Sequence, residues 1–317
     1  MKTAHLGAIL ASAAMLAACT TSGSEAALAN YAGAQPAPVI VDLRVRENAA
    51  APYLSVDQFT VPASHEIGDG IFPYEGIGWE NGQIGYRLYL DGRFASDIFG
   101  KQVAEPVLAQ IGEVGSYHEL AAWGMDVLKV GPSLGIGGIG IMRGGEPVQF
   151  GSIPELSAAV EESGGAMGRF TVAAKGIVTP AGGTGGFTAN FSIAAEGPMT
   201  LVSVTAQGDL PLATGIVMHD GAEFWQSRAS NSTSWRYIAT YGAQSENQDG
   251  LGIALFYRAD QASYGGLANQ THYVTFGGPQ FDYGFLAEWE RGSSGVKDRA
   301  SFDAILQGEL SRLDQSQ

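Results

Sequence analysis

Apolar and polar residues alternate with a period of two along most of this chain, the spacing of strands buried on one face. Residues 39–45, 53–61 and 86–91 carry it in the first half. After Pro147 it becomes denser, over 169–178, 187–196, 199–207, 213–219, 236–239, 252–258, 271–276 and 283–289. Gly, Pro, Asn and Asp separate these ladders, as expected of antiparallel strands joined by tight turns. Asn81-Gly82, between Trp79 and Tyr86, predicts a hairpin. Residues 135–141 interleave glycine with isoleucine and predict a strand pressed closely against another backbone.

Other stretches are less regular. Residues 96–108 show no clean period, 116–123 read as a turn or two of helix, and 126–130 as a short strand. Only 300–313 has convincing helical periodicity, with Phe302, Ile305, Leu306, Leu310 and Leu313 on one face. No internal repeat supports a propeller or solenoid. The pattern predicts an all-β fold: one large antiparallel two-sheet β-sandwich with a C-terminal helix. Two separate β-domains are the alternative, although no linker-like stretch divides the halves.

The N-terminus changes the picture of where the protein works. Lys2, an apolar run over 6–18 and Leu16-Ala17-Ala18-Cys19 form a secretory signal. Its end resembles the bacterial lipoprotein signal, in which the cysteine becomes the lipid-modified first residue; an ordinary signal peptide with a stray cysteine is the alternative. Cys19 is the only cysteine, so no disulfide forms within the chain. Thr20 resembles the outer-membrane-sorted pattern. The expected organisation is a signal peptide at 1–18, a flexible tether at 19–38 and a single carbohydrate-active β-sandwich domain at 39–317. The expected location is the outer membrane, facing periplasm or surface, with the lipid as the only membrane anchor. A net charge of −15 argues against nucleic acid as a partner. It leaves room for an anionic sugar held by a local cation.

Candidate chemistry concentrates between residues 74 and 140. In a strand over 86–91, Arg87, Tyr89 and Asp91 share one face at about 7 Å spacing, opposite Tyr86, Leu88 and Leu90. Arg93 extends that row, and Trp79 and Tyr86 flank it with aromatic surface. A solvated strand face is the plain alternative. His118, Trp123, Asp126 and Lys129 form a second group, in which a carboxylate could hold the histidine for proton transfer. A structural histidine is the competing reading. His219 and His272 fall at strand ends, and Glu288 lies on a late strand beside Trp289 and Glu290. No nucleophile elbow, zinc motif or dinucleotide loop is present. No cofactor is predicted, and a divalent metal assembled from scattered side chains stays open.

Tyr74-Glu-Gly-Ile-Gly-Trp-Glu80, Gly85-Tyr-Arg-Leu-Tyr-Leu-Asp91, Asp97-Ile-Phe-Gly-Lys101 and Trp123-Gly-Met-Asp-Val-Leu-Lys129 resemble an uncharacterised bacterial domain family of unknown function. Its members occur beside enzymes that degrade uronic-acid polysaccharides such as pectin and ulvan. The resemblance covers most of the mature chain. It implies the mutarotase-like supersandwich and an oligosaccharide dehydratase, a carbon–oxygen lyase acting on uronic-acid ends. In that reading Arg87, with Arg93 or Lys129, neutralises the substrate carboxylate; His118 is the base and Tyr89 the acid. Trp79 and Trp123 stack on sugar faces, and loss of Arg87 or His118 abolishes activity with the fold intact. A glycoside hydrolase using Asp91 with Glu80 or Glu288, and a noncatalytic glycan-binding lipoprotein, are the alternatives.

Overall fold

The computed structural model of the protein describes residues 37–113, 115–228 and 234–315. The expected signal peptide, Cys19 and nearly all of the expected tether lie outside them. Residues Pro36–Gln317 form one compact unit. It is all-β and antiparallel, with one α-helix, α1 (Arg299–Gln315), among the described residues.

Two sheets of five strands make one layer. In the first, Ile40–Asp42, Gly76–Glu80, Ile84–Tyr89, Ser96–Lys101 and Gly124–Asp126 lie side by side in that order. In the second the order is Glu146–Val148, Ile136–Arg143, Leu212–Val217, Thr271–Phe276 and Ala262–Ala268. A bridge from Ser96 to Gly135 joins them. The opposite layer is a nine-stranded sheet. Its order is Glu223–Gln226, Trp235–Gly242, Leu251–Arg258, Gln280–Trp289, Thr200–Gln207, Thr184–Ala194, Met167–Val178, Glu155–Glu162 and Gln58–Thr60.

The period-two pattern decides what lies between the layers. Trp79, Tyr86, Leu88 and Ile98 point inward from the first sheet to meet Phe170, Phe191 and Phe285 of the nine-stranded one. Trp79 is fully buried, and its indole nitrogen donates to Thr200 Oγ1 at 2.9 Å. The glycine-rich strand behaves as its composition predicts: a Cβ on Gly138 would fall 2.7 Å from the Ala95 Cα and 2.9 Å from the Phe94 carbonyl oxygen. The apolar face of α1, with Phe302, Leu306 and Leu310, covers Tyr237, Ala254 and Phe256 on the outside of the nine-stranded sheet.

Two expectations fail locally. Residues 116–123 form turns rather than helix, and the short strand beside them is Gly124–Asp126 rather than 126–130. Residues 96–101, without a clear period, form a wholly buried strand. Its outer face is covered by residues 103–113 and 115–123, which pack Val107, Leu108 and Ile111 against Phe99 and Tyr74. Lys101 and Glu80, both fully buried, tie this cover down. Lys101 Nζ donates to Glu80 Oε2 at 2.5 Å, and Glu80 Oε1 accepts the amides of Val107 and Leu108.

Candidate functional site

The outer face of the first five-stranded sheet carries the charged side chains that the alternation turns away from the core. Strand register sets Arg87 directly opposite Asp97, and Phe99 opposite Asp126. Arg87 Nη2 donates to Asp97 Oδ2 and to Asp126 Oδ2, each at 2.6 Å, and its Nε reaches Asp97 at 3.1 Å. Tyr89 donates to the same Asp97 oxygen at 2.6 Å. Arg87 Nη1 donates to the Tyr117 hydroxyl oxygen at 3.2 Å. Its guanidinium carbon lies 4.9, 5.3 and 5.2 Å from the ring centres of Tyr89, Phe99 and Tyr117. One buried cation therefore faces two buried carboxylates.

That arrangement sets the local electrostatics. Burial disfavours the charge on Arg87, but Asp126 and Asp97 more than offset it. Burial, and then the neighbouring Asp126, push the Asp97 carboxyl up to about 7. Burial and the Asp97 charge raise the Tyr89 phenol far above its ordinary range.

The cluster reaches solvent through His118. Its Nδ1 lies 3.1 Å from Asp126 Oδ2, and its side chain is 61% exposed. The hydrogen bond to Asp126 raises its pKa above that of an ordinary histidine, against a smaller effect of burial. The carboxylate holds Nδ1 and leaves Nε2 as the nitrogen free to exchange a proton. Asp126 Oδ1 is buried and meets no hydrogen-bond donor.

Arg93 borders the cluster on the other side. Its guanidinium carbon lies 3.8 Å from the centre of the Tyr89 ring, so Tyr89 is covered and cannot reach a substrate. Asp91, past the end of the strand, does not extend the row; it binds Arg93 through both carboxylate oxygens. Glu75 pairs with Arg93 at 3.3 Å. Glu75 holds a left-handed backbone, φ 71°, which is strained for a residue with a side chain.

A cleft of about 210 Å³ adjoins the cluster, lined by Tyr53, His65, Asp69, Phe72, Glu75 and Tyr117. The Tyr117 ring packs 4.4 Å from the His118 ring, centre to centre.

Of the residues expected from sequence, Arg87, Tyr89, Asp126 and His118 come together, with Asp91 and Arg93 beside them. Half-buried Trp123 packs edge-on against Phe99, 6.2 Å between centres. The others fall elsewhere. Trp79 and Tyr86 are core residues with no accessible ring face to offer a sugar; the Tyr86 hydroxyl donates to Pro198 O and accepts from Ala287 N. His272 is buried in the second sheet, stacked 3.6 Å from Phe224 and hydrogen-bonded to Tyr264, and burial lowers its pKa to about 4. Glu288 is buried in the nine-stranded sheet with its carboxyl pushed up to about 7. His219, half-buried, borders the backbone of Lys129, whose own side chain is exposed. Arg87 itself cannot clamp a substrate carboxylate, because it is buried and all three of its nitrogens are engaged within the protein.

Sequence reasoning left out Asp97, Tyr117, His65, Asp69 and Glu75. The hairpin register could have supplied Asp97, since Arg87 needs a partner across the strand. The others come from loops, where no period constrains direction. Among the described residues no group of three or more His, Cys, Asp and Glu side chains is arranged to hold a metal ion, and no helix is long and apolar enough to cross a membrane.

Fold and site together define an antiparallel β-sandwich whose buried arginine–carboxylate cluster surfaces through a histidine–aspartate pair. The chain matches, over residues 22–316, the family described as Domain of unknown function (DUF4861), and it belongs to that family. No curated protein matches it.

Proposed function

We propose that this protein is a carbohydrate-active carbon–oxygen lyase acting on uronic-acid-containing oligosaccharides, of the pectin or ulvan type, at the outer membrane. His118 Nε2 takes the proton from carbon 5 of the uronate. The electron pair forms the C4–C5 double bond, the C4–O bond breaks, and the departing oxygen leaves as water after receiving a proton. The resemblance to a family found beside uronate-degrading enzymes supports the substrate class. The observation that carries the reaction class is His118 Nδ1 held 3.1 Å from buried Asp126, with the rest of the ring exposed.

Two roles move from the residues first expected. Tyr117 replaces Tyr89 as the acid, because it is half-buried, lines the cleft, and accepts from Arg87 without spending its own proton. Arg93 replaces Arg87 as the group nearest the substrate carboxylate. Its Nε and Nη2 are engaged by Asp91 and Glu75, while Nη1 has no partner among the described residues. Arg87 instead fixes Asp126, and so the tautomer of His118.

Glycoside hydrolysis fits less well. Glu80 is fully buried on Lys101, Asp91 is engaged by Arg93, and Glu288 lies in the other layer. Incubating the protein with pectin and ulvan oligosaccharides and following mass tests the proposal. Loss of one water supports elimination. Gain of one water overturns it in favour of hydrolysis, and unchanged mass removes the enzyme reading for these substrates.

A further inference from the structure

Arg46 stands apart from the other arginines of this region. Arg44, Arg87 and Arg93 are each gripped by carboxylates, whereas Arg46 meets none within ion-pair distance among the described residues. Its Nε donates to Gly70 O at 2.6 Å, and Nη1 reaches Ala49 O only at 3.4 Å. Nη2 has no hydrogen-bond partner among the described residues, and the residue is half-buried rather than sealed off. The guanidinium is nonetheless held in place. Its carbon lies 4.6 Å from the centre of the Tyr53 ring, and the Tyr53 hydroxyl donates to Gly70 O at 3.0 Å and to Phe72 O at 3.2 Å. Gly70 has φ 72°, and a Cβ there would collide with Nη2, so glycine makes room for the cation. Fixing a guanidinium before a ligand arrives lowers the entropy cost of binding. Arginine stays charged throughout the physiological range, so its role depends on no protonation state.

Tyr53 and Gly70, the two residues against which Arg46 rests, line the same cleft as Tyr117, whose ring packs on His118. The carboxylates of that cleft are engaged elsewhere: Asp69 by His65 and the amides of Ile71 and Glu66, Glu75 by Arg93. A planar guanidinium with Nη1 loosely held and Nη2 free can bind a carboxylate or sulfate through two parallel hydrogen bonds. We infer that Arg46, backed by Tyr53, is an anion subsite at the edge of the cleft, taking the carboxylate or sulfate of the sugar next to the one at His118. The inference rests on the proposed lyase reading and sharpens its substrate: an oligosaccharide with two neighbouring anionic residues, rather than a uronate linked to a neutral sugar.

The test uses the full chain carrying His118→Ala, so that no ligand turns over, and calorimetric titration with two matched pairs. One pair is digalacturonate against galacturonosyl-rhamnose; the other is glucuronosyl-rhamnose with and without a sulfate on the rhamnose. At least one member with an anionic second sugar should bind about tenfold more tightly than its partner, as a charge-assisted hydrogen bond provides. Which pair does so tells carboxylate from sulfate. Arg46→Gln should abolish that preference while the member with a neutral second sugar binds as before. If neither pair shows a preference, if Arg46→Gln keeps it, or if Arg46→Gln weakens both members alike, Arg46 is a strut to residue 70 and the subsite falls. Failure of elimination by the protein with His118 in place, with the preference intact, overturns the lyase reading alone.

Discussion

Asp126 presents one oxygen, Oδ2, both to Arg87 Nη2 at 2.6 Å and to His118 Nδ1 at 3.1 Å. A single buried atom thus connects the interior of the sheet to the exposed ring. If His118 is the base, its free form must be populated, and Asp126 stabilises the protonated form.

Activity is therefore expected to rise with pH through a midpoint above that of an ordinary histidine. Asp126→Asn removes the charge that raises His118, so the midpoint should fall, and His118→Ala should lower kcat by about 10²–10⁴. The profile of kcat/KM against pH, read from the ultraviolet absorbance of the conjugated product, measures both. An unshifted midpoint in Asp126→Asn would separate the pair functionally.

Arg87→Met is expected to destabilise the fold, contrary to what the exposed-row reading implies. It leaves Asp97 and Asp126 buried without their cation, a loss of about 3–5 kcal/mol. The direction with pH also follows. Protonation of Asp97, favoured below about 7, relieves the repulsion, so the variant should lose less stability in acid. Denaturant unfolding at two pH values checks this, and adding Asp97→Asn should recover part of the loss.

Glu288 is expected to weaken the fold as pH rises. Its folded pKa, about 7, exceeds its unfolded value, so the native state binds more protons between those values. Stability from this group is present in acid and lost by pH 7, on the order of 2–3 kcal/mol. Glu288→Gln should flatten the fall in thermal midpoint across that window.

The docking of α1 can be tested by two glycines. A Cβ on Gly252 would sit 2.7 Å from the Phe302 ring, so Gly252→Ala should cost about 1–3 kcal/mol by displacing the helix. Gly308 lies within α1 with nothing near its Cβ position, so Gly308→Ala should stabilise by about 0.4–1 kcal/mol. Thermal denaturation of the two variants reads both signs.

Alternation made much of this fold legible. Over 86–91 it put Arg87, Tyr89 and Asp91 on one face and Tyr86 on the other; the assignment holds as far as Tyr89, where the strand ends. The same alternation argues against Tyr86 as the aromatic flank expected of it, since a residue opposite Arg87 faces inward. Residues 155–162, Glu-Leu-Ser-Ala-Ala-Val-Glu-Glu, were not legible because their composition favours helix; pairing on both sides makes them a strand. The second carboxylate partner of Arg87 was equally hidden. Asp126 arrives from 39 positions away, and only the folded sheet brings it to the guanidinium.

The strand order of the large sheet bears on how the chain is made. Gln280–Trp289, the last strand, inserts between Leu251–Arg258 and Thr200–Gln207. Until the ribosome has passed residue 289, the other eight strands can exist only as a three-stranded and a five-stranded piece, each with a bare inner edge. Such edges template pairing with other chains. Nascent or C-terminally truncated protein should thus depend on chaperone shielding, whereas the finished chain closes its own seam.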